Sequence, residues 1–295
     1  MYKTILITGG NGFTGKKVVK KLLQLKYKIV LLTQNKRSTS FSQNQGVYVE
    51  SYDIDNLDFS HIFNKYLIDI ILHMSAETRK TCDYKDVVDL NIRFPISLLS
   101  CALKHKVKCF VNTDTTIYNN EINSYSLSKK QFSEWLSLNN QGINIINLKI
   151  DNIYGKDNNN KRFVSMVIDS LMNNNKYIGL TSGEQKRNFI YIDDFVDLII
   201  RIVHKAPKIG NGYHEYGAGS NEQISIKSLV ILISDILGKQ QSTLHFEPID
   251  FTVEDDTESC SKIDISNTIK DFNWRPETNL SKGLKEVIRH YIEKQ

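Results

Sequence analysis

The chain has 295 residues, of which 40% are hydrophobic and 24% charged, as in an ordinary globular protein. Its net charge of +5 is spread along the chain, and no long basic block indicates a nucleic-acid surface. There is no C-x-x-C pair, no signal peptide and no apolar run that could cross a bilayer. We therefore expect a cytoplasmic protein with free thiols, no metal site, and neither a membrane nor a nucleic-acid partner.

The N-terminal segment predicts a strand, a glycine-rich turn and a helix in that order. Residues 4–7 are an apolar, β-branched run, and residues 16–27 have helical periodicity. Between them, Gly9, Gly12 and Gly15 recur at a spacing of three. Glycines here allow a tight turn and the approach of a pyrophosphate to a helix N-terminus. The glycines therefore predict a dinucleotide-binding turn, with a purely structural turn as the alternative. Their position at the start of the chain, between a strand and a helix, favours dinucleotide binding.

Strands and helices alternate up to Gly155, which predicts an α/β fold with a doubly wound parallel sheet of the Rossmann type. A smaller C-terminal α/β lobe is expected to bind substrate. We assign residues 1–155 and 189–222 to the dinucleotide-binding domain, and 156–188 and 223–295 to the lobe. The predicted strands lie at 28–33, 46–52, 68–73, 108–112, 143–150, 177–180, 187–192, 212–219 and 244–249. The predicted helices lie at 86–105, 125–138, 163–172, 194–204, 225–237, 266–272 and 280–293.

Three residues stand out within these helices. Pro95 is expected to kink or break the helix at 86–105, because it lacks a backbone N–H. Asn91 occupies a position in the same helix where an apolar residue would be usual, and we expect it to bond a neighbouring loop. Asp194 is expected to cap the helix that follows it.

The end of the second predicted strand bears on cofactor choice. An acidic residue there binds the ribose hydroxyls of NAD, whereas a basic residue accommodates the 2′-phosphate of NADP. The segment is TQNKR, residues 33–37, with no acid and with Lys36 and Arg37. This favours NADP(H), with NAD as the lesser possibility. The alternative is that both cations lie in a solvated loop.

Tyr125 and Lys129 are four residues apart and therefore share one face of a helix. A lysine cation at that distance is expected to lower the tyrosine pKa from its ordinary value of about 10. The pair could then exchange a proton with an oxygen beside a nicotinamide ring. The same spacing occurs by chance in structural helices. Its position after the fifth strand of a sheet that begins with a glycine turn favours the catalytic interpretation.

Eight elements in order resemble the extended short-chain dehydrogenase/reductase family of nucleotide-sugar epimerases, dehydratases and reductases, over nearly the whole chain. They are TGGNGFTG at 8–15, Asp53, HMSAE at 73–77, NTDTTIY at 112–118, YSLSK at 125–129, DNIYG at 151–155, RNFIYIDD at 187–194 and DISNTIKDFNWRP at 264–276. Within the family, the NTDT and YSLSKKQF stretches are most similar to the CDP-abequose synthase-like 4-ketoreductases.

The resemblance implies roles for individual residues. Tyr125 would be the general acid, Lys129 would hold the nicotinamide ribose, and Asp53 would meet the adenine. Thr113 would bond the sugar oxygen, with Thr115 as its rival because the loop carries one extra residue. The implied cofactor contacts are Gly9, Asn11, Gly12, Phe13, Thr14, Thr33, Lys36, Arg37, Asp53, Ile54, Met74, Ser75, Ala76, Tyr125, Lys129, Ile150 and Ile153. The implied substrate contacts are Glu77, Thr115, Asn152, Phe163 and Arg187, the last with a surface ion pair to Asp193 or Asp194 as its alternative.

Three departures from the family pattern shape the predicted activity. Asp114 is followed by Thr115 where the dehydratases carry glutamate, which argues against water loss. An acidic stretch at 254–256 stands where many members place an arginine, and the loop between Asn112 and Tyr125 is short.

These features predict NADPH-dependent reduction of the C4 ketone of a nucleotide-activated 4-keto-(6-)deoxy sugar, in deoxysugar and surface polysaccharide (lipopolysaccharide) biosynthesis. An NAD-dependent 4-epimerase and a non-catalytic dinucleotide-binding protein are the alternatives. By analogy with the family, we expect a homodimer formed through the helices at 86–105 and 125–138.

Overall fold

The structure is a computed structural model that describes residues 4–36, 39, 41, 46–78, 82–116, 123–138, 142–156, 162–173, 183–220, 222–239 and 263–293. Its strands are β1 (Thr4–Thr8), β2 (Lys28–Thr33), β3 (Val47–Ser51), β4 (Ile70–His73), β5 (Cys109–Thr115), β6 (Asn144–Ile150), β7 (Asn152–Tyr154), β8 (Lys186–Tyr191), β9 (Gly212–Ala218) and β10 (Gln223–Ser225). Its α-helices are α1 (Phe13–Gln24), α2 (Ser60–Lys65), α3 (Tyr84–Val88), α4 (Phe94–Lys104), α5 (Ser124–Ser137), α6 (Phe163–Met172), α7 (Ile192–Lys205), α8 (Ile226–Ile236), α9 (Ser266–Phe272) and α10 (Leu280–Ile292).

Seven parallel strands form the central sheet, in the order β3-β2-β1-β4-β5-β6-β9. The chain reverses its direction of winding between β1 and β4, and ligands of such sheets bind at that switch point, outside the carboxyl ends of the strands. Every residue of β1 is buried, because helices cover both faces. Ile5 and Ile7 face α1 and α7, and Leu6 faces α2 and α4. The predicted Rossmann-type α/β sheet is therefore confirmed.

A second, three-stranded sheet has the order β10-β8-β7 and was only partly predicted. β7 and β10 have three residues each, too short for a recognisable pattern. The strands predicted at 177–180 and 244–249 lie outside the described residues. No helix in the described part of the chain is both long and apolar enough to cross a membrane.

The fifth strand is longer than the sequence predicted. It was expected to end at Asn112, but the register continues as Thr113 opposite Leu148, Asp114 opposite Lys149 and Thr115 opposite Ile150. Polar residues taken alone predict a loop. Here the strand pairing of β5 with β6 outweighs that local preference. Three polar side chains are therefore fixed at the carboxyl edge of the sheet. Helix α1 likewise begins earlier than predicted, at Phe13, so that Gly15 lies within its first turn.

Pro95 does interrupt its helix, as predicted. A five-residue π-helical segment, Asp89–Arg93, separates α3 from α4, and Pro95 lies in the first turn of α4. Proline has no N–H for the carbonyl four residues earlier, so the regular hydrogen-bond ladder cannot pass through it. The π segment widens the helix at this point, a feature that is common at functional sites.

The prediction that Asp194 caps α7 is wrong. Tyr191 is the N-cap, and Asp194 lies inside the first turn, where it binds the C-terminal segment instead. Its carboxylate accepts hydrogen bonds from the backbone N–H of Thr278, at 3.0 Å, and from the Thr278 hydroxyl, at 3.3 Å. The indole N–H of the buried Trp274 donates to the backbone carbonyl oxygen of Asp194 at 3.1 Å. Asp194 therefore fastens the C-terminal segment to α7.

Glu50 anchors the outer strand β3. Its carboxylate is buried and accepts from the Lys65 ammonium and the Tyr66 hydroxyl, both at 2.8 Å, and from the Lys36 ammonium at 3.2 Å. Burial alone would raise the pKa of Glu50, but these hydrogen bonds outweigh it and lower the pKa to about 2. Lys36, one of the two cations predicted to select NADP, is therefore paired with a carboxylate.

We expect Glu50→Gln to reduce the free energy of unfolding at neutral pH by about 1 kcal/mol, since the two lysines are half exposed and screened. The folded-state pKa lies below the unfolded value, so the stabilisation is present above about pH 4.5 and is lost as the pH falls towards 2. Urea unfolding across this range checks the effect. Glu184→Gln, which removes an exposed pair with Lys227, is the control and should change stability by less than about 0.5 kcal/mol. A Glu50→Gln deficit that stayed constant down to pH 2 would contradict the assignment.

Candidate active site

A cleft of about 450 Å³ opens at the carboxyl ends of β1, β4, β5 and β6. The glycine turn forms one wall, the segment after β4 forms the floor, and the first turns of α5 form the opposite wall. Most of the residues that the sequence predicted for the site meet here. They are Gly9, Gly12, Phe13, Thr14, Met74, Ser75, Ala76, Thr113, Thr115, Tyr125, Lys129, Ile150, Asn152 and Ile153.

The glycine turn has the geometry of an anion cradle. Gly9 has a φ of +71°, and a Cβ atom there would lie 2.6 Å from the backbone of Met74. A Cβ atom on Gly15 would lie 2.1 Å from the carbonyl oxygen of Gly9, so the first turn of α1 can approach the strand only without a side chain. Gly12 is the N-cap of α1 and supplies no side-chain cap to the N–H groups of the first turn. These N–H groups are suited to a pyrophosphate.

A second cavity of about 240 Å³ continues from the glycine turn to the end of β2. Asn11 and Thr33 line it as predicted, together with Tyr52. The amide nitrogen of Asn11 lies 3.5 Å from the Thr33 hydroxyl, and its buried amide oxygen has no hydrogen-bond partner among the described residues. A buried acceptor of this kind needs a donor. The two cavities together therefore fit a dinucleotide that lies across the switch point.

Thr8 organises the floor of the cleft. Its hydroxyl oxygen accepts hydrogen bonds from the backbone N–H groups of Met74, at 3.2 Å, and Ser75, at 3.3 Å, and from the Ser75 hydroxyl at 2.9 Å. It also lies 2.9 Å from the Nδ1 atom of His73. Burial, followed by the charge of Lys129, holds the pKa of His73 well below its ordinary value. His73 is therefore a neutral structural group at physiological pH.

Tyr125 and Lys129 share one face of α5, as predicted, and both line the cleft. Asn123 and Ser126 form a capping box that begins the helix immediately before Tyr125. Lys129 is buried, and its ammonium group donates to the carbonyl oxygen of Thr113 at 2.5 Å. Burial lowers the pKa of Lys129, and the charge of Asp114 opposes that shift.

The expected lowering of the Tyr125 pKa is not found. Burial, followed by the negative charge of Asp114, raises the pKa of Tyr125 to about 12. Lys129 directs its ammonium group to Thr113, and desolvation of the phenolate dominates. Tyr125 is consequently protonated at neutral pH and can donate a proton to a strongly basic oxygen.

Asn91 connects the floor of the cleft to the helix that carries Tyr125, and it was correctly expected to bond a neighbouring loop. Its amide oxygen accepts from the N–H of Glu77 at 2.7 Å, and its amide nitrogen donates to the Glu77 carbonyl at 3.0 Å. The same nitrogen donates at 3.0 Å to the Ser128 hydroxyl, which in turn donates to the Tyr125 carbonyl at 2.8 Å. Because Asn91 lies in the π segment, the irregular helix turn places these contacts.

A third cavity of about 250 Å³ adjoins the cleft on the side of the smaller sheet. Asn152 and Phe163 line it, as predicted for substrate contacts, and Asp151 and Arg162 line both this cavity and the cleft. Arg162 precedes α6, and its guanidinium group lies 4.2 Å from the ring centroid of Phe13. Sequence reasoning missed Arg162, although a basic residue immediately before a predicted helix was the available signal.

Five predicted site residues line none of these three cavities. Lys36 binds Glu50, and Asp53 is exposed and accepts from the N–H of Asp55 at 3.1 Å. Ile54 packs against the apolar core.

Glu77 is buried beside Asn91, and Arg187 lies half-buried on β8, where it donates to the Lys186 carbonyl. Asp193, one of the partners considered for Arg187, pairs with Lys17 at 2.6 Å. Arg37 lies outside the described residues.

The parallel sheet, the glycine cradle and the tyrosine–lysine pair define a dinucleotide-binding protein of the short-chain dehydrogenase/reductase type. Residues 5–216 match the NAD dependent epimerase/dehydratase family. The chain therefore belongs to that family, the extended short-chain dehydrogenase/reductases, whose members are enzymes that depend on a nicotinamide dinucleotide.

Individual relatives are distant but cover nearly the whole chain. CDP-abequose synthase from Salmonella typhimurium is 25% identical over 97% of each chain. UDP-glucose 4-epimerase from Thermotoga maritima, solved with UDP-glucose, is 20% identical with a TM-score of 0.83 over 99% of each chain. A Bordetella bronchiseptica enzyme solved with NAD is 18% identical, with a TM-score of 0.81 over 99% of this chain and 95% of the other. The two structures are alike in fold.

We expect Gly15→Ala to weaken the binding of NADH and NADPH at least about tenfold, a loss of about 1.4 kcal/mol. The added Cβ atom would meet the Gly9 carbonyl oxygen at 2.1 Å and push α1 away from the turn. Titration of nicotinamide fluorescence measures the affinity, and circular dichroism confirms folding. Gly210→Ala is the matched control, since nothing lies within 4 Å of its Cβ position. Equal affinities in wild type and Gly15→Ala would show that the turn does not hold the pyrophosphate.

Proposed function

We propose that this enzyme reduces the C4 ketone of a nucleotide-activated 4-keto-(6-)deoxy sugar with NADPH, in the biosynthesis of a surface polysaccharide. The observation that carries the proposal is the cleft that Tyr125 and Lys129 line together with the glycine turn. Reduction needs a proton donor at the carbonyl oxygen from the outset. The likeness to CDP-abequose synthase over 97% of both chains supports a deoxysugar substrate.

The protein side of the reaction follows from the positions of four side chains that line the cleft. When bound, NADPH supplies the hydride for the C4 carbon. Tyr125 gives its phenolic proton to the oxygen that becomes the C4 hydroxyl, because an alkoxide is more basic than a phenolate. Lys129 directs its ammonium group to the Thr113 carbonyl oxygen and is proposed to bind the nicotinamide ribose. Thr113 and Thr115 both line the cleft, and the Thr113 hydroxyl already donates to the His73 carbonyl at 3.2 Å.

The nucleotide end of the substrate is proposed to occupy the third cavity. Asn152 and Phe163 line it, and Arg162 stands where the cavity meets the cleft. A guanidinium fork suits a diphosphate. In this proposal residues 1–155 and 189–222 bind the cofactor, and 156–188 and 223–295 hold the nucleotide, with Arg187 as a further candidate contact.

An NAD-dependent nucleotide-sugar 4-epimerase is the second candidate, and two observations favour it. Lys36 is paired with Glu50, which reduces its availability for a 2′-phosphate. The Bordetella enzyme of similar fold was solved with NAD, and the Thermotoga enzyme is a 4-epimerase. An epimerase returns the hydride to its own substrate and has no net cofactor consumption, so the two functions separate in one assay.

The assay follows NADPH and NADH oxidation with 4-keto-6-deoxyglucose attached to CDP, dTDP, UDP or GDP. We expect stoichiometric oxidation of NADPH with one of these substrates. Tyr125→Phe should lower kcat by about a hundredfold to ten-thousandfold without weakening NADPH binding, because only the proton donor is lost. Tyr48→Phe, at a half-buried tyrosine on β3 that lines none of the three cavities, is the control and should retain full activity. Interconversion of UDP-sugars without cofactor consumption would contradict the reductase function and support the epimerase.

We further propose that the enzyme is a homodimer through the helical stretch 86–105, which includes the π segment and α4, and through α5. Large apolar side chains are exposed on this side, among them Tyr84, Val88, Trp135 and Leu138. Trp135 and Leu138 also line a surface groove of about 480 Å³ that reaches Ile92 in the π segment. Exposed apolar clusters of this kind indicate protein–protein contact. Two copies related by a two-fold axis would form a four-helix contact.

We expect Trp135→Lys to yield a monomer where the wild-type chain is a dimer, because a buried charge at the centre of the contact would lack a partner. Light scattering after size exclusion measures the mass. Leu67→Lys replaces a leucine that is 85% exposed elsewhere on the surface and should leave the dimer intact. A wild-type protein that is monomeric at the highest attainable concentration would contradict the proposed dimer.

A further inference from the structure

Two α-helices begin at the candidate site with N–H groups that their N-cap side chains cannot satisfy. Helix α1 begins at Phe13 on the cleft, after Gly12, and α6 begins at Phe163 on the third cavity, after Arg162. Glycine has no side chain, and an arginine side chain contains donors but no acceptor. Both helix ends therefore favour an anion. In the proposed complex they face the cofactor pyrophosphate and the substrate diphosphate.

Arg162 lies between these two helix ends. Its guanidinium group is 4.2 Å from the ring centroid of Phe13, and the residue lines both the cleft and the third cavity. The Phe13 ring is itself supported, because it packs against the apolar core and a Cβ atom on Gly155 would lie 3.6 Å from it. The guanidinium group therefore lies on a fixed aromatic ring at the start of the helix that is proposed to hold the cofactor.

The other charged groups that line these cavities are already engaged within the protein. Lys129 is the second cation among the described residues that line the cleft, and its ammonium group donates to the Thr113 carbonyl oxygen. The carboxylates of Asp114 and Asp151 line the cleft and accept hydrogen bonds from neighbouring amide groups. Arg162 is the one cation among the described residues that line the third cavity. It is therefore the group best placed to meet anions on both sides.

A cation in this position affects the two ligands together. Two diphosphate groups in adjoining cavities repel each other, and a positive charge between them reduces that repulsion. A guanidinium group has five N–H donors, so it can bind phosphate oxygens on two sides and keep other contacts. Arg162 is exposed, and an exposed arginine loses rotamer freedom when it binds. A cofactor that fixes the first turn of α1 also fixes the Phe13 ring, and with it the surface on which the guanidinium group lies.

We propose that Arg162, in contact with Phe13, is a shared cation that couples the two sites, so that cofactor and nucleoside diphosphate bind more tightly together than either binds alone. Such a coupling is reciprocal, since each ligand must change the affinity of the other by the same factor. The inference rests on the proposed function for the occupant of the third cavity. Its measurement uses binding alone and depends neither on the sugar nor on the reaction.

The test is a calorimetric titration of the full-length protein with CDP, dTDP, UDP and GDP, first without cofactor and then with saturating NADPH or NADH. We expect at least one nucleotide to bind at least about fivefold more tightly with cofactor. Arg162→Gln should bring this factor close to one, because the shared charge is lost. Phe13→Leu keeps an apolar side chain without a π face and should lower the factor about twofold to fivefold.

The matched control is Arg275→Gln, which removes an exposed arginine that lines none of the three cavities and should leave the factor unchanged. Circular dichroism confirms that each variant is folded. A nucleotide that binds equally with and without cofactor overturns the coupling and leaves the proposed reaction standing. Full coupling in Arg162→Gln or in Phe13→Leu also overturns it, because another contact would then join the sites.

Two further outcomes separate this inference from the proposed function. If none of the four nucleotides binds in any state, the inference and the proposed class of substrate are both rejected. Coupling that is lost in Arg162→Gln, in a protein that reduces no 4-keto sugar, would retain the role of Arg162 and reject the proposed reaction.

Discussion

The hydrogen bond from Lys129 to the carbonyl oxygen of Thr113 is the contact on which the rest of the site depends. It joins α5 to the carboxyl end of β5 at 2.5 Å. An ammonium ion in a buried position costs several kcal/mol unless its surroundings compensate for the lost water. The carbonyl group and the charge of Asp114 supply that compensation. A shift in the register of β5 or in the start of α5 would separate these groups and leave a buried cation without support.

Several features outside the cleft hold this geometry in place. The capping box at Asn123 fixes where α5 begins, and the pairing of β5 with β6 extends to Thr115 and fixes the strand end. Asn91 holds α5 from the other side through Ser128, and it reaches both Ser128 and Glu77 because the helix around it is π-helical. Pro95 reduces the free-energy cost of the π segment, because a regular α-helix with proline at this position would also lack one backbone hydrogen bond. An apparent defect in the helix is therefore part of the support of the site.

The elements that could be predicted from the sequence are those whose signals are local. The glycine turn, the tyrosine–lysine spacing and the alternating strands and helices each lie within a short window, and the structure has them. The length of β5, the two short strands of the smaller sheet and the cleft positions of Asp114 and Arg162 depend on pairing and packing between distant segments. The bond between Asp194 and Thr278 joins residues 84 positions apart, and no pattern near Asp194 distinguishes it from a helix cap. The rise in the Tyr125 pKa has the same origin, because burial, its largest cause, is a property of the folded chain.

The pairing of Lys36 with Glu50 bears on both the fold and the cofactor. The same carboxylate also binds Lys65 and Tyr66 of the α2 region, so Lys36 completes a cluster that fixes β3 to its neighbours. A 2′-phosphate at the end of β2 would compete with Glu50 for the Lys36 ammonium. Since Glu50 has a second cation in Lys65, release of Lys36 would leave the carboxylate paired, and the exposed position of Lys36 would allow its side chain to turn towards the cavity at Asn11. Binding of NADP would therefore cost this chain one partly screened ion pair, about 1 kcal/mol or less. That cost is small beside the charge-assisted hydrogen bond that a phosphate would form with the same ammonium group.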